Sequence, residues 1–240
     1  MSREAILARI RESLSVPTDT HVRDLTRHDS GSLPVLANGP DGRVNAVKEF
    51  LPFVGDSFAD HVEAFATLSK KLQTELVRVA DRSAASNALK RLTETNQWKR
   101  AGIHDCKLVE DCIQDMHIDF LNTNLPHENE DLESCDVGIT GCDALIAQTA
   151  SVLVTSQSAG GRAISVLPPH HVVVATAEQM VTTMADGFAI LRQKHGVNWP
   201  SFISFITGPS RTADIERVLV LGAHGPKKLT VILVGDDFRS

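Results

Sequence analysis

Apolar residues recur at helical spacing near the start of the chain. Ile6, Leu7, Ile10 and Leu14 fall on one face after Ser2, a residue suited to a helix cap. Residues 15–45 carry Pro17, Gly31, Pro34, Gly39, Pro40 and Gly42 among few apolar positions, and read as a flexible linker. The pattern therefore divides the chain into an N-terminal helix and linker over 1–45 and an α/β domain over 46–240. Within the domain, Phe58, Val62, Phe65, Leu68 and Leu72 predict an amphipathic helix. Residues 75–80 predict a strand, and 83–97 a second helix with Ala84, Ala88, Leu89 and Leu92 on one side. Residues 101–125 mix the two periods and yield no assignment.

From residue 137 the chain changes character. Residues 137–140, 151–155, 171–175 and 202–206 are short apolar runs rich in β-branched side chains, as in strands covered on both faces. They favour a parallel or mixed sheet. A helix over 182–195 is expected to turn Met184, Phe188 and Leu191 inward. Residues 217–221 and 229–234 read as two further strands, with a short helix at 217–221 as the alternative. The alternation of helix and strand gives an α/β fold class.

Composition narrows the functional classes. The chain has 240 residues, 42% of them hydrophobic, and a net charge of -6. No concentrated basic patch offsets that charge, so nucleic-acid binding is not expected; Lys70-Lys71 and Lys227-Lys228 read as solvated pairs. No segment approaches the ~20 apolar residues that span a bilayer. The charged N-terminus does not resemble a secretory signal, and the reading is a cytoplasmic protein. Cys106, Cys112, Cys135 and Cys142 form no CxxC pair, so the local spacing of a zinc ribbon or iron–sulfur site is missing and free thiols are expected. The acidic run Glu128, Glu130, Asp131, Glu133 and Asp136 reads as a solvated loop, since no metal-ligand spacing is imposed. No metal site is expected.

Candidate chemistry lies in four glycine loops that follow expected strands, where the carboxyl ends of an open sheet place ligands. The first holds Thr140, Gly141 and Asp143 and leads to Gln148. The second holds Ser158, Gly160, Gly161 and Arg162. The third holds Gly208, Ser210, Arg211, Thr212 and Asp214, and the fourth centres on His224. Glycine lets a ligand approach main-chain N–H groups closely, and hydroxyls beside an arginine suit a small carboxylate or phosphate. Ser210 or Thr212 capping a helical turn is an equally good reading of the third loop. His170 and His171 open a strand, so their side chains point to opposite faces and do not form a chelating pair. His224 is placed to act as an acid or base, or simply to occupy a turn. Nothing matches a P-loop, a dinucleotide fingerprint or a nucleophile elbow, and no catalytic residue is assigned.

Several motifs occur together in order. The run from Val137 through Thr140-Gly141-Cys142-Asp143 to Gln148-Thr149 resembles the first motif of the LUD family, the lactate utilization protein B/C domain. Gly160-Gly161-Arg162-Ala163 and Leu167-Pro168-Pro169-His170 resemble its middle motifs. Gly208-Pro209-Ser210-Arg211-Thr212-Ala213-Asp214-Ile215-Glu216 and Leu221-Gly222-Ala223-His224-Gly225-Pro226 resemble its closing signature. The resemblance implies a three-layer, Rossmann-like open sheet similar to the phosphosugar isomerase, CoA-transferase and 5-formyltetrahydrofolate cyclo-ligase superfamily. It also implies a C-type subunit that works with partner subunits in oxidising L-lactate to pyruvate. Cofactors are expected on the partners, as iron–sulfur clusters, with none in this chain. The family often carries Glu where this chain has Gln148, which can hydrogen-bond a ligand but cannot take up a proton. Two other readings stay open: a stand-alone enzyme for a phosphorylated or CoA-linked small molecule, and a regulatory interaction module. Homo-oligomerisation is also left open.

Overall fold

The computed structural model describes residues 51–213, 219–221 and 225–235; the expected N-terminal helix and linker lie outside the described residues. Helix α1 spans Phe58–Leu72. Its start is fixed by Ser57 and Asp60, whose side chains reciprocally bond the first-turn backbone, and these bonds hold the Asp60 carboxyl below its usual range. Strand β1 (Thr74–Val79) and helix α2 (Arg82–Asn96) follow, both within a residue or so of the pattern's expectation.

The unassigned segment resolves into β2 (Arg100–Ile103), α3 (Lys107–Ile113) and β3 (Asp119–Asn122). Four-residue strands and a seven-residue helix are too short for either period to repeat, which is why the pattern was mixed. Part of the acidic loop is a one-turn helix, α4 (Asn129–Glu133), anchored by buried Leu132. Asp136 accepts the N–H groups of Lys99 and Arg100 and ties this segment to the start of β2. No cluster of three metal-ligating side chains occurs among the described residues.

The later strands are β4 (Val137–Thr140), β5 (Ala144–Ile146), β6 (Ser151–Thr155), β7 (His170–Thr176) and β8 (Met180–Val181). Helix α5 (Met184–His195), β9 (Ile203–Ile206), β10 (Arg211–Ala213), β11 (Leu219–Leu221) and β12 (Lys228–Val234) complete the series. Six of these strands form a wholly parallel sheet in the order β1-β12-β7-β4-β2-β3. Its centre is apolar on both faces, and that is what made β4 and β7 legible as continuous runs.

On one face, Ala85 and Leu89 of α2 and Val109 and Cys112 of α3 pack against Val137, Ile139, Val172, Val174 and Ile232. On the other face, Val173, Ala175, Val231 and Leu233 meet Val62 and Phe65 of α1 and Leu145, Val152 and Val154. Those last three residues belong to a second sheet, β8-β5-β6-β9, in which β6 runs antiparallel to both neighbours. The apolar runs at 151–155 and 202–206 thus join a separate mixed sheet. Each run is individually as apolar as β4, so composition could not tell which sheet it would join.

Helix α5 covers the outer face of this second sheet through Gly187 and Leu191. Met184 and Phe188, expected inside, are 37% and 44% exposed. The inward stripe is displaced because Gly187, lacking a side chain, lets α5 settle against Ile146 and Leu153. Phe188 instead leans on Phe205, with ring centroids 5.2 Å apart. Strands β10 and β11 pair antiparallel, Arg211 opposite Leu221, so the third glycine loop runs into extended chain and not into the helical turn that a Ser210 or Thr212 cap would begin. For 219–221, the strand reading holds over the helical one.

Candidate functional site

The glycine loops separate to two ends of the parallel sheet. The first two lie at the carboxyl ends of β4 and β6, as expected. Between β2 and β4 the chain reverses its direction of travel across the sheet, a position that commonly holds ligands in open α/β folds. His104, just after β2, is 3% exposed and fills this position. Its Nε2 accepts the Gly141 N–H at 3.4 Å. Its Cβ packs so closely on Gly160, at φ +60, that no side chain fits there, and Thr123 Oγ1 donates to the Gly160 carbonyl. Burial pushes the His104 pKa down, opposed by Asp105 and the Ser158 carbonyl. His104 was missed from sequence because the strand that delivers it is only four residues long.

The polar groups expected to meet a ligand here are mostly engaged by other residues of the fold. Thr140 Oγ1 is buried between the Gly141 carbonyl and His171 Nε2. Ser158 Oγ accepts the Thr155 N–H, and Arg162 donates to the Ser201 carbonyl. Gln148 sits on the β5–β6 turn and donates to the Pro52 carbonyl. The Asp143 side chain is 0% exposed and takes a 2.5 Å ion pair from Lys194, itself 47% exposed; its Oδ2 has no partner among the described residues. Burial raises the thiol pKa of Cys112 to about 11 and that of Cys142 further still, so neither is a ready thiolate nucleophile.

Lys194→Met is expected to lower stability by about 2 kcal/mol, less than the ~3–5 of a fully buried pair because Lys194 is half in solvent. The Lys194→Met/Asp143→Ala double variant should recover part of that loss, since the stranded carboxylate goes with it. Urea unfolding of the two variants checks this; equal losses would contradict it.

The other two loops follow β9 and β11, and their described parts lie at the amino ends of β1, β7 and β12, the opposite end of the parallel sheet. The Ser210 N–H donates to the Pro226 carbonyl, while the N–H groups of Lys227 and Lys228 both point to the Pro169 carbonyl. Gly208 adopts φ +96 and passes so close to the Leu72 carbonyl that a side chain would collide with it. Here the Pro169-His170, Gly208-Pro209-Ser210 and Gly225-Pro226 segments converge, although up to about sixty residues separate them in sequence. Asp214 and His224 lie outside the described residues, as do the side chains of Arg211 and Thr212. Arg162 and Arg211 attach near opposite ends of β9, since Arg162 binds Ser201 before the strand and Arg211 follows it.

The converging segments wall a cleft of about 240 Å³ lined by Gln73, Glu75, Asn96, His170, Pro209, Lys227, Lys228, Leu229 and Thr230. Lys228 Nζ donates to Asn96 Oδ1 at 2.8 Å. Thr230 Oγ1 donates to Glu75 Oε2 at 2.9 Å and lies 2.8 Å from His170 Nε2. His170 is 4% exposed, stands edge-on to Trp98, and burial with Lys228 nearby pushes its pKa down to about 4. His171 faces the other side of β7, towards Thr140, so the two histidines are not a chelating pair. The cleft residues were missed because Lys227-Lys228 looks like a solvated pair and Glu75 and Thr230 like ordinary strand positions. Only the register of β1, β7 and β12 brings them together.

A model of the LUD domain matches residues 62–234, most of the described fold and all of its parallel sheet. The chain belongs to the LUD domain family. Among curated proteins it is similar to lactate utilization protein C of Bacillus velezensis, 40% identical over 109 residues, covering 45% of this chain and 45% of that one. It is 41% identical to lactate utilization protein C of Bacillus subtilis over 106 residues, covering 43% and 44%. The match to the Oceanobacillus iheyensis protein of that name is 35% over 123 residues, covering 50% and 52%. The matched stretch thus spans about half the length of these relatives. A DUF162 family protein from Deinococcus radiodurans, known from a crystal structure, has the same fold, with a TM-score of 0.59 over 75% of this chain and all of that one at 20% identity. No helix among the described residues is long and apolar enough to cross a membrane.

Proposed function

We propose that this LUD-domain chain is a subunit of an L-lactate utilization system, contributing a small-anion site to a reaction whose iron–sulfur clusters reside on partner proteins. The observation that carries the anion site is the cleft at the amino ends of β1, β7 and β12. There Lys227 and Lys228, two amide side chains and a threonine hydroxyl line a space of about 240 Å³. That volume falls below the ~300–1,000 Å³ of sites for larger ligands, which favours a compact carboxylate over a CoA-linked molecule. The names of the relatives support the metabolic setting, and the absence of cluster-binding cysteine spacing agrees with a division of labour among subunits.

Purified alone, the chain is expected to show no lactate-dependent electron transfer, with activity appearing when the partner subunits are added. Robust lactate oxidation by this chain alone would overturn the subunit reading. For the anion site, Lys227→Ala or Lys228→Ala should weaken binding of L-lactate or inorganic phosphate about tenfold, the worth of one charge-assisted contact at a partly exposed site. Calorimetric titration reads this directly, and unchanged affinity in the double variant would remove the cleft from consideration.

A further inference from the structure

The cleft contains a carboxylate among its cations, and that carboxylate constrains what binds. Glu75 Oε2 accepts the hydrogen bond donated by the Thr230 hydroxyl. With that single proton committed, Thr230 Oγ1 can meet His170 Nε2 only by accepting, so His170 carries its proton on Nε2. The buried Nδ1 has no partner among the described residues, which is consistent with a neutral ring. The chain His170 to Thr230 to Glu75 therefore runs in one direction and ends on Glu75. Glu75 Oε1 has no hydrogen bond among the described residues. Glu75 lines the same cleft as Lys227 and Lys228, so an anion held by the two lysines lies beside its carboxylate. If it brings only lone pairs, like charges face each other; if it brings an N–H or O–H, the carboxylate becomes a hydrogen-bond acceptor for it.

We propose that Glu75, held by Thr230, is a specificity-determining residue that makes the cleft select small carboxylates bearing a hydroxyl or ammonium beside the charge over those bearing a carbonyl or hydrogen there. The proposal rests on the cleft being the anion site. The selection uses exclusion as much as attraction, because the buried His170–Thr230 pair prevents Glu75 from turning its filled oxygen away without stranding the Thr230 hydroxyl.

The test compares L-lactate, L-alanine, pyruvate and propionate, which share size but differ in the group next to the carboxylate, against wild-type chain and Glu75→Gln by calorimetry. Glutamine keeps an oxygen for Thr230 and presents an amide N–H₂ to the ligand. In the wild type, L-lactate or L-alanine should bind at least tenfold more tightly than pyruvate and propionate. In Glu75→Gln that ratio should fall below about threefold, chiefly because pyruvate binds better. L-Lactate preferred over L-alanine assigns the donor as a hydroxyl, and the reverse as an ammonium. Equal wild-type affinities for all four, or a ratio unchanged in Glu75→Gln, overturns the proposal while leaving the anion site standing. No saturable binding of any probe or of phosphate overturns both. A far-ultraviolet circular dichroism spectrum matching wild type confirms that Glu75→Gln, a change at an exposed position, is folded.

Discussion

Gly138→Ala is expected to lower the unfolding free energy by about 3 kcal/mol, the upper part of the usual range for overpacking a well-ordered core. Gly138 lies in β4, paired with Gly102 of β2 on one side and His171 of β7 on the other. A methyl group there would be driven into the Ile164 carbonyl oxygen and its carbon, with the Ile164 side chain also in contact. Relief by a side-chain rotation is not available, because the obstructing atoms are backbone and Ile164 is fully buried. Either β4 must move away from strands hydrogen-bonded on both sides, or residues 163–167 must shift, breaking the turn in which the Val166 and Leu167 N–H groups donate to the Ala163 carbonyl. Urea unfolding followed by circular dichroism measures the loss, and a fall in the melting midpoint of about 6–12 °C should accompany it. A variant as stable as wild type would show that the 163–167 segment yields easily.

How far such positions were legible depends on how local their causes are. Helix α1 could be read from Phe58, Val62 and Phe65 because one helix face is set by nearby residues, and Ser57 with Asp60 marks its start within four positions. The inward face of α5 was misplaced because Gly187, silent in any hydrophobic count, decides which side approaches β5 and β6. The cleft depends on still longer range. Glu75 and Thr230 are 155 residues apart and meet only because β1 pairs in parallel with β12. The motif series identified the family. The 208–210 loop follows β9 as expected, but β9 belongs to the second sheet, so the loop reaches the end of the parallel sheet opposite the first two loops. His104 falls between these cases: its position after β2 is local information, but a four-residue strand gives too few residues to establish a period.

Acidification should expose the energetic weight of the β7 histidines. Burial holds His171 at a pKa of about 3 and, with Lys228 nearby, His170 at about 4. Their ring Nδ1 atoms are buried without partners among the described residues, so a proton added there would create both an uncompensated charge and an unsatisfied donor. In the unfolded chain both rings titrate near the ordinary value of ~6.5. Between that value and the folded pKa, the unfolded state therefore binds more protons than the folded state. By linkage, stability is fully present above about pH 6.5 and is lost as pH falls towards 4 and below. The two rings together should remove about 3 kcal/mol between pH 7 and pH 5, where the paired carboxylates Asp111 and Asp60, held below their usual range, remain charged and contribute little. Chemical denaturation at a series of pH values reads the slope. Replacing His171 with glutamine, which carries no titrating group, should reduce it even if it lowers stability at pH 7, the remainder coming from His170 and from His104, also held down by burial. A stability that is flat from pH 7 to pH 5 would mean that one or both rings find an acceptor when charged. The Nδ1 side of each ring, where the added proton would sit, would then be the first place to look.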